Sequence, residues 1–217
     1  MKAEQQSAEQ LVEKLRTERN VYSSKVAAAL RSVPREKFVP ESARDRAYND
    51  VPLDIGEGQT ISAPHVVADI TELLELREGQ RVLEIGTGSG YHAAVTAEIV
   101  GAKNVFTIER LPTLARMARR NLAQAGYDEV TVIVGDGSCG LPDRSPFDRI
   151  YLTCAAPDIP DPLLEQLADG GRMVVPIPID DEIQRLTLVE KRDGRVEHVP
   201  YGAVQFVPLV GEHGFEA

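Results

Sequence analysis

Glycine stands at every second position from residue 86 to residue 90, directly after the apolar run Val82–Ile85 and before a helix-forming stretch. An apolar run, a glycine-rich turn and a helix in this order are typical of a buried parallel strand that leads into a ligand-binding turn. Glycine adopts positive φ at low cost and lets a backbone approach a ligand closely. The segment therefore predicts an α/β sheet with a binding site at the end of this strand.

The spacing of the turn and two acidic residues narrow the class of ligand. The glycines Gly86, Gly88 and Gly90 follow a Gly-x-Gly-x-Gly pattern, which differs from the Gly-x-Gly-x-x-Gly of dinucleotide-binding turns. Glu84 lies where it could receive an amino group. Glu109 ends the next apolar run, about 20 residues later, where a carboxylate accepts hydrogen bonds from ribose hydroxyls. The pattern favours S-adenosylmethionine over NAD, and tight strand-to-helix packing is the alternative.

A third acidic residue stands in the turn Gly135-Asp136-Gly137, after another apolar run. Asp136 is a candidate to receive the exocyclic amine of an adenine. The alternative is an ordinary Gly-Asp-Gly turn, which needs no ligand. Because ligands of open α/β sheets lie beyond the carboxyl ends of the strands, we expect this turn, the glycine-rich turn and Thr153 to meet at one edge.

Short apolar runs alternate with longer helical patterns over residues 79–179, the predicted cofactor-binding core. This alternation predicts right-handed crossovers and a Rossmann-like α/β sandwich, with a mostly parallel sheet and helices on both faces. The predicted strands are Arg81–Ile85, Val105–Ile108, Val130–Val134, Phe147–Leu152 and Arg172–Pro176. The predicted helices are Tyr91–Val100, Thr113–Ala125 and Pro162–Leu167.

The segments on either side of this core have other patterns. Residues 1–62 predict two helices, then turns and a short extended piece, as an N-terminal helical extension with a substrate loop. A further helix is expected from Ala63 to Leu76. Residues 180–217 predict antiparallel edge strands at Gln184–Lys191 and Val199–Leu209, followed by a tail. We interpret residues 1–217 as one domain.

Composition excludes several classes of partner. A net charge of −10 disfavours non-specific electrostatic binding to nucleic acid phosphates. Apolar stretches fall short of the roughly 20 residues that a membrane-spanning helix needs, and the N-terminus is charged. Cys139 and Cys154 have no metal-ligand spacing, so no metal site is predicted. We expect a soluble, cytoplasmic protein that is a monomer and binds neither nucleic acid nor membrane.

The stretch Gly56–His65, followed by Val82–Tyr91, resembles the protein-L-isoaspartate O-methyltransferase family. The resemblance covers the chain from about residue 20 to about residue 212. Most methyltransferases of this fold share the glycine motif, whereas Gln59-Thr60-Ile61-Ser62 is particular to the family. Further segments carry the likeness: Val33–Pro40, Ala47-Tyr48, Gly135–Gly137, Phe147–Ile150, Gly170–Arg172 and Phe206–Leu209.

The resemblance implies methyl transfer from S-adenosylmethionine to the free α-carboxylate of L-isoaspartyl residues in damaged peptides and proteins. The ester would then collapse through a succinimide, and S-adenosylhomocysteine would be the other product. Ser62 matches the family's active-site serine. The resemblance implies substrate contacts at Ser62, Ala63, Val207 and Val210, the last two in a segment that folds back over the site. It implies cofactor contacts at Gln59, Thr60, Ile61, Glu84, Gly86, Thr87, Gly88, Ser89, Gly90, Glu109, Arg110, Asp136 and Gly137.

This reaction needs few catalytic groups. A carboxylate is already ionised at neutral pH, so no general base is required, and Ser62 would orient the nucleophile with one hydrogen bond. Serine before Ala63-Pro64 also matches a helix N-cap, and we expect Ser62 to serve in both ways. The chemistry needs neither His65 nor His92, although His92 could touch the pocket.

Two other functions fit parts of the sequence. One is a methyltransferase of the same fold that acts on a small metabolite or on RNA. The acidic charge argues against RNA, and the stretch from Gln59 to Ser62 argues against other acceptors. The second is a protein that binds S-adenosylmethionine without turnover, as a sensor or an interaction module.

Overall fold

The computed structural model describes residues 2–180 and 183–216, with side chains from residue 8 onward. The strands among these residues are β1 (Leu53–Gly56), β2 (Gln59–Ile61), β3 (Val82–Ile85), β4 (Val105–Glu109), β5 (Thr131–Val134), β6 (Phe147–Leu152), β7 (Leu167–Pro178), β8 (Gln184–Arg192) and β9 (Arg195–Val204). Seven of these described strands form one sheet in the order β5-β4-β3-β6-β7-β8-β9, and β1 and β2 form a small separate sheet.

The pairing confirms the predicted Rossmann-like sandwich. Strands β5, β4, β3, β6 and β7 are parallel to one another, and β8 and β9 extend the sheet in antiparallel fashion. The order of strands reverses at β3, because the chain moves outward to β4 and β5 and then returns to β6 on the other side. The ends of β3, β4 and β6 are therefore where a ligand is expected.

Two strand predictions were wrong at their boundaries. The strand predicted from Arg172 begins at Leu167 and contains an irregularity: Phe147 pairs with Leu167, but Arg149 pairs with Arg172. The last strand ends at Val204 instead of Leu209. Beyond it, the Gln184 side chain bonds the backbone of Phe206 in both directions, at 2.7 and 2.8 Å. The chain then leaves the sheet and crosses toward the strand ends.

In the part of the chain that the structure describes, six α-helices accompany the strands, and they include the two predicted for the N-terminal extension. They are α1 (Lys2–Thr17), α2 (Ser24–Ser32), α3 (Pro64–Leu74), α4 (Tyr91–Val100), α5 (Pro112–Ala125) and α6 (Asp161–Gln166). Helix α3 ends two residues earlier than predicted, because Glu75 adopts a left-handed backbone with φ 48°. Within the described residues, no helix is long and apolar enough to cross a membrane.

The two faces of the sheet bury separate apolar clusters, as the alternation of side chains along a strand requires. Val82 of β3 packs into the cluster that α1 to α5 share, whereas Leu83 and Ile85 pack into the cluster that includes Leu163 of α6. Glu84 therefore points to the same face as Val82. A carboxyl group is buried under the helices of this face, next to the glycine-rich turn.

Candidate active site

Two adjoining cavities, of about 110 and 280 Å³, lie at the carboxyl ends of β3, β4 and β6. They share Thr60, Gly86, Gly88, Thr153 and Val207 as a common wall. Predicted site residues that line the first cavity are Thr60, Ile61, Ser62, Ala63, Glu84, Gly86, Thr87, Gly88, Ser89 and Val207. Those that line the second are Gln59, Thr60, Gly86, Gly88, Glu109, Arg110, Gly137, Val207 and Val210.

The glycine-rich turn forms the wall between the cavities. Gly86 has φ 95°, and a Cβ added there would lie 2.4 Å from Oγ1 of Thr153, so a larger side chain has no room. The Thr153 hydroxyl donates to the Gly86 carbonyl at 2.5 Å. Gly90 is also a predicted contact, but it caps α4 and faces Leu122 instead of either cavity. Its role in this structure is packing.

Glu109 ties the end of β4 to the turn. Its Oε2 accepts from the backbone amide of Gly88 and its Oε1 from that of Leu111, each at 2.9 Å. Each carboxylate oxygen retains a second lone pair. The side chain lines the second cavity, so it can accept hydrogen bonds from a ligand there.

Glu84 is fully buried beside the first cavity. Thr107 donates to its Oε2 at 2.6 Å, and its Oε1 has no partner among the described residues. Burial raises the pKa of Glu84 to about 8, against the lowering effects of the Thr107 and Tyr151 hydroxyls, and the negative charge of Glu109 adds to the rise. An unpartnered buried oxygen beside a cavity is a group that a bound hydrogen-bond donor would satisfy.

Ser62 lines the first cavity, but it does not cap α3. The N-cap is Ala63, and Asp50 provides the cap instead: its Oδ1 accepts from the backbone amide and from Nδ1 of His65, both at 2.9 Å. The expected capping role of Ser62 is therefore wrong. His65 is engaged with Asp50 and does not line either cavity, whereas the Ser62 hydroxyl is not used by the helix.

A buried arginine that the sequence analysis did not single out holds Ser62 in place. Arg35 is 0% exposed and donates to the carbonyls of Ser62 at 2.7 Å and Ala47 at 2.8 Å. Its guanidinium lies 4.6 Å from the ring centre of Tyr91 at the start of α4. Arg35 lies in the segment Val33–Pro40 that carried the family resemblance, and that was the only available signal.

The carboxylate of Asp136 binds the C-terminal tail, and Asp136 does not line either cavity. Its Oδ1 accepts from the amide and hydroxyl of Ser138 at 2.8 and 2.7 Å, and its Oδ2 from the amide of Glu212 at 2.8 Å. Partial burial acts to raise the pKa of Asp136, but these bonds outweigh it and hold the pKa below its ordinary value. Contact with an adenine amine stays a prediction, whereas tail anchoring is what the structure contains.

Residues Val207 to Val210 of the tail line the cavities, and their contact with substrate stays a prediction. Ala155, just after β6, donates to the Val207 carbonyl at 2.8 Å and accepts from the Leu209 amide at 2.7 Å. These two bonds hold the segment parallel to the end of β6. Val207 thereby borders both cavities, and Val210 borders the second.

The fold also gathers three groups of metal-ligand type that spacing in the sequence could not associate. The ligand atoms of Cys139, Glu212 and His213 lie within 4.8 Å of one another, with Glu212 and His213 exposed. This cluster lies where the tail crosses the loop after β5, outside both cavities. We assign no ion to it.

Comparisons with known proteins agree on one family. The family model for protein-L-isoaspartate(D-aspartate) O-methyltransferase (PCMT) matches residues 5–214. Protein-L-isoaspartate O-methyltransferase 1 of Archaeoglobus fulgidus is 60% identical over 206 residues, covering 94% of each chain. The Methanopyrus kandleri enzyme of that name is 55% identical over 211 residues, covering 96% of this chain and 93% of its own.

Solved structures give the same result. A protein-L-isoaspartate O-methyltransferase superposes with a TM-score of 0.86 at 33% identity, covering 95% of this chain and 67% of its own. A Plasmodium falciparum beta-aspartate methyltransferase, in complex with S-adenosyl-L-homocysteine, superposes with a TM-score of 0.83 at 26% identity. It covers 93% of this chain and 97% of its own.

Proposed function

The chain belongs to the protein-L-isoaspartate(D-aspartate) O-methyltransferase family, and from this membership we propose that it methylates isoaspartyl residues. The methyl group comes from S-adenosylmethionine, and the acceptor is the free α-carboxylate of an L-isoaspartyl residue in a damaged peptide or protein. The neighbouring peptide nitrogen then displaces methanol from the ester to close a succinimide, and hydrolysis of the succinimide can give normal aspartate. The observation that carries the proposal is the family match over residues 5–214, joined to a cavity pair lined by the motif residues.

The residues at the site fit this donor. S-Adenosylmethionine carries donors at both ends, namely an ammonium group and the ribose hydroxyls. The first cavity offers the unpartnered Oε1 of Glu84, and the second offers the carboxylate of Glu109. The backbone of Gly86 and Gly88 between them leaves no side chain in the way. This arrangement supports a binding mode in which the ammonium group lies beside Glu84 and the ribose lies beside Glu109.

The protein's own contribution to the reaction is orientation and exclusion of water. The bound sulfonium supplies a methyl group on a good leaving group, and the acceptor carboxylate is already anionic at neutral pH. The position of the Ser62 hydroxyl supports a role as hydrogen-bond donor to one oxygen of that carboxylate. This bond directs the other oxygen at the methyl carbon. Arg35 fixes the backbone of Ser62. The tail at Val207–Val210 limits access of water.

Partners and location follow from the same chemistry. We propose isoaspartyl-containing peptides and proteins as substrates, with no role for nucleic acid or membrane. The net charge of −10 supports the exclusion of nucleic acid. We also propose a monomer that works in the cytoplasm. The two cysteines are free, Cys154 being buried and Cys139 partly exposed, which supports a reducing compartment.

A pair of peptides with the same sequence tests the proposal. One contains L-isoaspartate and the other contains L-aspartate at the same position, and each is incubated with the purified chain and S-adenosylmethionine that is radiolabelled at the methyl group. We expect base-labile methyl ester on the isoaspartyl peptide alone. Equal labelling of both peptides would contradict the proposal, as would no labelling of either peptide. Labelling of a nucleic acid or a small metabolite instead would favour a different acceptor.

A further inference from the structure

The first cavity contains a second buried acceptor that no part of the catalytic scheme uses. His92 lies in the first turn of α4, is 6% exposed and lines the same cavity as Glu84. Its Nδ1 has no partner among the described residues. An unpartnered ring nitrogen in a buried position carries a desolvation cost, and a ligand that bonds to it removes that cost.

The neighbours of His92 fix which ring nitrogen bears the hydrogen. The Thr71 hydroxyl donates its single hydrogen to the Val67 carbonyl at 2.6 Å, one turn earlier in α3. At its 3.1 Å contact with Nε2 of His92, the same oxygen must therefore accept. The hydrogen lies on Nε2, and Nδ1 presents a bare lone pair. Burial also lowers the pKa of His92 to about 3, so the ring is neutral.

Because Nδ1 of His92 has a lone pair and no hydrogen, it can bond only to a group that donates a hydrogen bond. The methionine end of the donor offers a carboxylate, which only accepts, and an ammonium group, which only donates. The other donors of the molecule, on ribose and adenine, are expected at the far end beside Glu109. We propose that Nδ1 of His92 accepts a hydrogen bond from the ammonium group of S-adenosylmethionine, alongside Oε1 of Glu84. This inference rests on the proposed function, because it assigns one more residue to that donor.

The proposal makes His92 a residue that recognises the amino group of the donor. The ring stacks against Tyr151 with centroids 4.3 Å apart, and Thr71 contacts Nε2, so two neighbours fix the orientation of the ring. Such a fixed acceptor distinguishes the natural donor from a molecule in which hydrogen replaces the amino group. The distinction is a difference in affinity, measurable without turnover.

Calorimetry with two ligands and three proteins tests this. The ligands are S-adenosylhomocysteine and its analogue in which hydrogen replaces the amino group. The proteins are wild type, His92→Gln and the control Thr96→Val. Glutamine can still donate to Thr71 but has no acceptor at the position of Nδ1. Thr96 is on the same helix, is also buried and bonds the Tyr151 hydroxyl at 3.0 Å, but does not line the cavity.

We expect His92→Gln to weaken S-adenosylhomocysteine binding by about 10- to 100-fold and to change binding of the deaminated analogue by less than about 3-fold. Thr96→Val should leave the ratio of the two affinities at its wild-type value. Equal weakening of both ligands by His92→Gln would overturn the proposal, as would no weakening. A raised KM for the isoaspartyl peptide with unchanged S-adenosylhomocysteine affinity would also overturn it, because Nδ1 would then serve the peptide.

A second measurement uses the unmodified protein and so does not depend on the variant's folding. In nitrogen-15 spectra of the four histidines, we expect the His92 Nδ1 signal at the position of an unprotonated ring nitrogen. On addition of S-adenosylhomocysteine it should move in the direction that marks acceptance of a hydrogen bond, and the deaminated analogue should not move it. An unmoved signal would contradict the proposal even if the wild type methylates isoaspartyl peptide. Absence of that methylation would instead contradict the proposed function.

Discussion

At the scale of single residues, Ser62 does not have the helix-capping role that its sequence context indicated. Serine before Ala63-Pro64 predicted a helix cap, but Asp50 caps α3 through His65. The cap is 15 residues away in the chain, so local pattern could not reveal it. The Ser62 hydroxyl is therefore available to a substrate, and substitutions there separate catalysis from helix stability.

For Ser62→Ala, we expect kcat for an isoaspartyl peptide to fall by about 10- to 100-fold, because one hydrogen bond that orients the nucleophile is lost. Affinity for S-adenosylhomocysteine and the melting temperature should stay near wild-type values, since the helix does not use this hydroxyl. Steady-state kinetics, calorimetry and thermal unfolding measure the three quantities. Exposed Ser24→Ala on α2 is the matched control. A large loss of thermal stability in Ser62→Ala would reinstate the capping role.

The proposed contact between Glu84 and the ammonium group of the donor predicts that donor binding depends on pH. Its pKa is raised to about 8 in the free protein, so the buried carboxyl holds its proton at pH 7, whereas a cationic donor favours the ionised form. Affinity for S-adenosylmethionine should rise about tenfold between pH 7 and pH 9, with proton release on binding at the lower pH. Calorimetry in buffers of different ionisation enthalpy measures both. A flat affinity without proton release would contradict this role of Glu84.

The same residue should cost the free protein stability. The folded-state pKa of about 8 exceeds the ordinary glutamate value of 4.5, so the folded state loses stability as pH rises from about 4.5 to about 8. Glu84→Gln does not titrate. Without ligand at pH 8, we expect this variant to exceed wild type in free energy of unfolding by at least about 1 kcal/mol, while it binds S-adenosylmethionine more weakly. Denaturant unfolding at pH 5 and pH 8 measures the difference, which should shrink at pH 5.

At the scale of elements, the C-terminal tail is the part whose position depends most on long-range contacts. Asp136 after β5 binds the amide of Glu212, and Ala155 after β6 binds Val207 and Leu209. The sequence predicted a strand over Val199–Leu209, because apolar and branched residues continue past Val204. It could not reveal that residues 205–209 leave β9, since the bonds that redirect them come from other strands.

Gly211→Ala tests whether the tail is part of the site. A Cβ there would lie 2.0 Å from Oδ1 of Asp136, so the tail and the Asp136 carboxylate cannot both keep their positions. We expect S-adenosylhomocysteine affinity to fall by about tenfold, with a smaller effect on the melting temperature. Gly202→Ala on the exposed strand β9 meets nothing within 4 Å and should leave affinity unchanged. Equal affinities in the two variants would argue that the tail does not shape the site.

At the scale of the whole molecule, the central strands and helices follow from the sequence, and the assembled site follows only in part. Periodicity predicted β3, β4, β6 and α4 nearly to the residue, because buried runs and glycine turns are local signals. Arg35 was not predicted as a support of Ser62, because its two carbonyl partners lie 12 and 27 residues away. The unpartnered Nδ1 of His92 could not be predicted either, because the tautomer of the ring depends on its contact with Thr71 in another helix.

The edges of the sheet bear on the oligomeric state. Strand β9 is exposed along nearly its whole length, but it contains Pro200 and the charged residues Arg195 and Glu197, which oppose pairing with a second sheet. We expect light scattering to give the mass of one chain, 23.7 kDa, at micromolar concentration with and without S-adenosylhomocysteine. A mass twice as large would contradict the monomer.

We propose that the donor spans both cavities across the glycine-rich turn, with its sulfur facing Ser62. A crystal structure with S-adenosylhomocysteine tests this most directly. We predict ribose hydroxyls on Glu109, backbone contacts to Gly86 and Gly88, the amino group between Glu84 and His92, and the sulfur directed at the Ser62 hydroxyl. Ligand bound elsewhere, or a sulfur turned away from Ser62, would contradict the account.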